Sequence, residues 1–167
     1  AEEKAWQDFC AALAEAGAII EERSPDDDVS RAEGYRYLTR LVRMALKFSL
    51  EYADAAAPSL IRYMDATQKF GVDNPDQIYQ WARISGRHSY RLWGRPGTAA
   101  YLGIGVYAGS AARGGRRTLA HLQGDDLEPT ADGSVELFLG GPRQGPNWVE
   151  LAGDTTTLLL RQTMNDP

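Results

Sequence analysis

The sequence predicts an α+β chain in which N-terminal helices precede an antiparallel β-sandwich or barrel. Two changes of period and one pattern of punctuation carry this. Apolar residues of the first third recur every three or four positions, whereas from Asp73 onward they recur every two. The later runs are short and separated by Gly and Pro, with no helical period between them. The expected division is a helical segment over 1–65 and a β domain over 66–167.

The first helix is expected from Lys4 to about Glu22, where Trp6, Phe9, Cys10, Leu13, Gly17 and Ile20 share a face. That places Cys10 on the buried side, as a small core residue. The acidic run Ser24 to Asp28 ends this helix, and its carboxylates read as capping rather than as a metal site, since no ligand spacing follows. A second helix opens with Ser30 and Glu33 at capping-box spacing. Arg36, Arg40, Arg43 and Lys47 follow at steps of four, three and four. They make either a docking ridge for an acidic partner or a solvated face with Lys47 paired to Glu51. Pro58 stops the helical part, and Ile61 to Gly71 reads as either helix or loop.

At Asp73 to Asp76, DNPD is turn chemistry; a calcium loop is excluded because the glycine and closing glutamate are missing. Three alternating runs then predict a β-meander. Ile78, Ala82, Ile84, Tyr90, Leu92, Leu102, Ile104 and Val106 take one side. Tyr79, Trp81, Arg83, Arg91, Trp93, Tyr101, Gly103, Gly105 and Tyr107 take the other, an aromatic and cationic face with two glycines that leave room for a guest. This second face is the candidate ligand-binding surface, or else buried packing. An even count in the Ser85 to His88 loop would exchange the two faces of the middle run.

Gly103, Gly105 and Ala108 match a dinucleotide-binding spacing, but GSAARGG cannot open the helix that motif needs. Gly109 to Arg117 is a basic loop whose Arg113, Arg116 and Arg117 are candidates to clamp a phosphate or sulfate. A hairpin turn at Ala131 to Gly133 precedes a strand with Val135, Leu137 and Leu139 on one side, and Thr156 to Thr163 makes another strand. Asn147 and Trp148 either contact a ligand or anchor the long loop they end.

Function classes are bounded by charge and cysteine usage. Eighteen Lys and Arg against 23 Asp and Glu leave a net charge of -5, which argues against nucleic acid as a partner. The single cysteine excludes an intrachain disulfide and suits the cytoplasm. No apolar run reaches the roughly 18 residues of a membrane span, and no secretory leader is expected. No metal cluster and no cofactor motif stands out. Tyr101, Tyr107 and His88 are the candidates for proton transfer, with Arg83 or Arg91 as electrostatic stabiliser. The expected function is small-molecule binding, or catalysis on an anionic or hydroxylated organic ligand. The competing class is a non-catalytic assembly subunit that docks a partner chain.

RAEGYRYLTRL (Arg31 to Leu41), EYAD (Glu51 to Asp54), DNPD, YRLWGRPGTAAYLGIGVY (Tyr90 to Tyr107), the pair Asp126 and Leu127, DGSVEL (Asp132 to Leu137), PNW (Pro146 to Trp148) and LLLRQT (Leu158 to Thr163) lie in order along nearly the whole chain. Together they resemble the bacterial family known as domain of unknown function twelve-fourteen. The resemblance implies a jelly-roll-like β-sandwich preceded by helices and transfers no catalytic residues. Members of that family generally run on past the RQT strand, whereas this sequence stops at Pro167. The resemblance therefore implies a truncated chain, or a second polypeptide as partner; a homo-oligomer is the other partner expected.

Overall fold

A computed structural model describes residues 2–71, 74–110 and 114–164. The chain divides into two compact units, Ala1–Leu46 and Lys47–Pro167. Residues 47–65, grouped with the helices in the sequence, thus belong with the strands. No helix among the described residues is long and apolar enough to cross a membrane.

The first unit is two antiparallel helices, α1 (Glu2–Arg23) and α2 (Asp28–Leu46). Phe9, Leu13, Ala16 and Ile20 are half-buried along α1, and Gly17 is buried beneath the ring of Tyr35, which a Cβ would meet at 3.5 Å. The Tyr35 hydroxyl donates to Glu21 Oε1 at 2.7 Å, and that hydrogen bond raises the phenol's pKa. Two features differ from expectation. The helix-initiating residue is Asp27, not Ser30: its Oδ1 accepts the Ser30 N–H at 2.7 Å, which lowers its carboxyl pKa. Glu33 instead pairs with Arg36 at 2.9 Å. Cys10 is exposed, because a two-helix hairpin buries only a narrow seam, and the residue one step past Phe9 is rotated by about 100° out of it.

The second unit opens with a π-helical turn (Lys47–Glu51) and holds two sheets. We number its strands β1 (Ile61–Arg62), β2 (Gln77–Arg83), β3 (Tyr90–Gly94), β4 (Tyr101–Ala108), β5 (Arg117–Gln123), β6 (Val135–Leu139), β7 (Trp148–Val149) and β8 (Thr155–Thr163). The larger sheet has the order β1-β2-β8-β4-β5 and is antiparallel throughout. In the smaller, β3-β6-β7, β3 and β6 are antiparallel while β6 and β7 run parallel.

The meander expected over β2, β3 and β4 does not form, since β8 lies between β2 and β4 while β3 pairs only with β6. The physical reason lies in the apolar content of the strands. Leu158, Leu159 and Leu160 are all buried, so β8 is apolar on both faces and takes a central place. β3, with exposed Arg91, Trp93 and Gly94, suits a sheet edge. The strand β5 begins at Arg117, the last residue of the expected basic loop.

Side chains from both sheets meet in one core: Ala82, Ile84, Ile104, Val106, Leu158 and Leu160 from the larger, Leu137, Leu139 and Val149 from the smaller. Tyr90 and Leu92 pack against it. The period-two assignment of the apolar side therefore holds across the sheet boundary. Asn147 and Trp148 anchor their loop. Asn147 is buried, with Nδ2 donating to the Glu128 and Glu136 carbonyls and Oδ1 accepting the Glu128 N–H. The Trp148 indole donates to the Gly140 carbonyl at 3.1 Å. In the turn before β6, Gly133 has a positive φ of 77° and Asp132 accepts from Thr130 and Ser134. Those bonds, Thr130 first, hold the Asp132 carboxyl well below the usual carboxylate range.

Candidate functional site

The side of the larger sheet turned away from this core is built in rows by strand register. Tyr79, Arg161 and Gly103 are opposite one another on β2, β8 and β4; Trp81, Leu159 and Gly105 follow, then Arg83, Thr157 and Tyr107. Seven of the nine residues expected on a ligand face therefore lie here with three from β8, Tyr101 continuing the β4 row beside Thr163. Arg91 and Trp93 do not: they lie on β3 of the other sheet, where Arg91 pairs with Glu136 and its guanidinium sits 5.3 Å from the Trp93 ring centroid.

Rings from the chain before β2 cover one part of this face. Phe48 lies on Trp81 with centroids 4.3 Å apart, Tyr63 meets Phe48 edge-on at 5.6 Å, and Tyr79 meets Tyr63 at 6.3 Å. Trp81 and Tyr63 are consequently buried. Burial pushes the Tyr63 phenol up to about 12, against the opposing charges of Arg161 and Arg116, so it stays neutral at physiological pH.

The glycines hold a tyrosine each, not a guest. A Cβ on Gly103 would stand 2.8 Å from the Tyr101 hydroxyl oxygen, and one on Gly105 would stand 2.6 Å from Cε2 of Tyr107. Tyr107 sits where the β4 register shifts, a bulge that redirects its ring along the strand. The Arg116 guanidinium stacks on that ring, 3.9 Å from its centroid.

Beside these layers is a cleft of about 840 Å³. Phe48, Tyr63, Phe70, Trp81 and Leu159 form its apolar wall, and Arg83, Arg87 and Arg116 supply cations. Ser85, Ser110 and Thr155 to Thr157 add hydroxyl-bearing residues. None of the three arginines has a carboxylate partner among the described residues. The one carboxylate among the described lining residues, Asp154, is held by Arg117 through two hydrogen bonds of 2.6 and 2.9 Å, which lower its pKa. Arg116 and Arg117 thus have separate tasks, and Arg113 lies outside the described residues.

The candidate proton-transfer groups are dispersed. Tyr101 and Tyr107 are at opposite ends of β4, and exposed His88 lies in the β2–β3 turn against Tyr90. Among the described residues no hydrogen bond joins any two of them. Phe48, Tyr63, Phe70 and Arg87 reach the site without any period-two signal that could announce them. Thr157 and Leu159 do alternate along an expected strand, and only the position of that strand is hidden in the sequence.

No known family model matches this chain, and no curated protein matches it. Solved structures do. An uncharacterized protein from Burkholderia cenocepacia is 44% identical and superposes with a TM-score of 0.89, covering 96% of this chain and 45% of its own. The chain thus spans less than half the length of that relative. A protein from Vibrio parahaemolyticus, 12% identical, covers 55% of this chain and 27% of its own with a TM-score of 0.43.

Proposed function

We propose that the second unit is a small-molecule-binding β-sandwich whose cleft takes an anionic organic ligand. One observation carries the reading: in a chain of net charge -5, three arginines without carboxylate partners among the described residues converge on one cleft, and the one carboxylate among its described lining residues is neutralised from outside. Unpaired guanidiniums in a partly apolar concavity favour an anion, and the cleft's volume lies in the range of small-molecule sites. Chemistry on the ligand is not part of the proposal, because Tyr101, Tyr107 and His88 are spread over separate places. Two sheets sharing one core support the jelly-roll-like sandwich, and the ordered motifs from Arg31 to Thr163 support a place in the twelve-fourteen family of unknown function. A cytoplasmic setting rests on the single cysteine.

Titration calorimetry with a panel of small organic carboxylates and phosphates tests this. Charge-assisted hydrogen bonds contribute about 1.5–3 kcal/mol, so Arg83→Ala and Arg87→Ala should each weaken binding by roughly ten- to a hundredfold. Binding that ignores both substitutions and the salt concentration would sink the proposal.

The assembly-subunit reading has its own support. Trp93 is 67% exposed on β3, an edge strand with one open side among the described residues, and such an edge can pair with another chain. A homo-oligomer or a second polypeptide would use that side and leave the cleft free.

A further inference from the structure

The apolar wall of the cleft narrows the class of anion, a step that rests on the anion-binding reading of the cleft. Four of the five apolar residues lining the cleft are aromatic. Phe48 and Trp81 are tilted by 36° at 4.3 Å, Tyr63 stands at 62° to Phe48, and Phe70 remains 41% exposed. Such a set offers ring faces and edges together, the geometry in which aromatic pairs gain beyond their buried area. Arg116 already stacks on Tyr107, and, exposed and lining the cleft, it has a second guanidinium face to offer.

We infer that the ligand is a flat aromatic anion, its ring against Phe48 and Phe70 and its charged group between Arg83, Arg87 and Arg116. An aryl carboxylate and an aryl phosphate share this chemistry.

The test uses ring-matched pairs on the whole chain: benzoate against cyclohexanecarboxylate, and phenyl phosphate against cyclohexyl phosphate. Expected is a preference of about three- to tenfold for the aromatic member, with upfield ring-current shifts of its protons in NMR. The charged group giving the tighter complex identifies the source. Phe48→Leu should remove the preference, bringing the aromatic and cyclohexyl members of each pair to equal affinity, and Phe70→Leu checks the same point should the first variant fold poorly. Equal affinity within both pairs overturns the aromatic assignment and leaves anion binding standing. No binding of any of the four overturns both.

Discussion

The ring of Tyr107 lies over the backbone of Gly105 on the same strand, so closely that a Cβ there would stand 2.6 Å from both its Cε2 and its hydroxyl oxygen. Gly105 is therefore the seat of a tyrosine that in turn carries Arg116. Gly105→Ala forces the ring away, an overpacking effect of about 1–3 kcal/mol. Chemical denaturation should show that loss. Because Arg116 loses its support, anion affinity should fall as well, and full retention of both would contradict the layered arrangement.

Tyr63 gives a signature at alkaline pH. Its phenol is raised to about 12 by burial, from an ordinary value of 10.0. The fold thus favours the neutral form: this contribution is complete below about pH 10 and disappears as pH climbs through about 12. Melting temperatures of the native chain should decline across that window, and those of Tyr63→Phe should decline less. Parallel curves would show that Tyr63 is not buried as described.

Asn147 fixes the segment leading into β7 through three hydrogen bonds to the Glu128 and Glu136 backbones. Asn147→Ala leaves those groups without partners, at about 1–3 kcal/mol. Urea titration should detect the loss, while anion affinity at the distant cleft stays unchanged.

Arg117 holds the Asp154 carboxylate at the edge of the cleft. Arg117→Ala releases that negative charge beside Arg83, Arg87 and Arg116. Benzoate affinity should then drop several-fold at low salt and recover partly in Asp154→Asn.

Cys10 is exposed on α1. An aromatic disulfide reagent should titrate one thiol in the native chain at about the rate seen in denaturant. A rate slower by orders of magnitude would restore the buried position that helical periodicity suggests.

The sequence by itself determined the α+β class, the first helix and the start of the second to within two residues or so, and the strands β2, β3, β4, β6 and β8, whereas the second helix ends at Leu46, well before Pro58. It also determined which side of each meander run is core, because strand and helix periods are local properties of consecutive residues. Ile78, Ala82 and Ile84 alternate with Tyr79, Trp81 and Arg83 wherever β2 is placed. Only the tertiary structure decided which strands are neighbours. Pairing is a long-range choice, and the burial of Leu158 to Leu160 on both faces set it, bringing Leu159 and Thr157 between the halves of the expected site and sending Arg91 and Trp93 to another sheet. The tertiary structure likewise decided that Gly103 and Gly105 carry Tyr101 and Tyr107, and that Phe48, Tyr63 and Arg87 reach the cleft. Contacts between residues far apart in sequence leave no period to read.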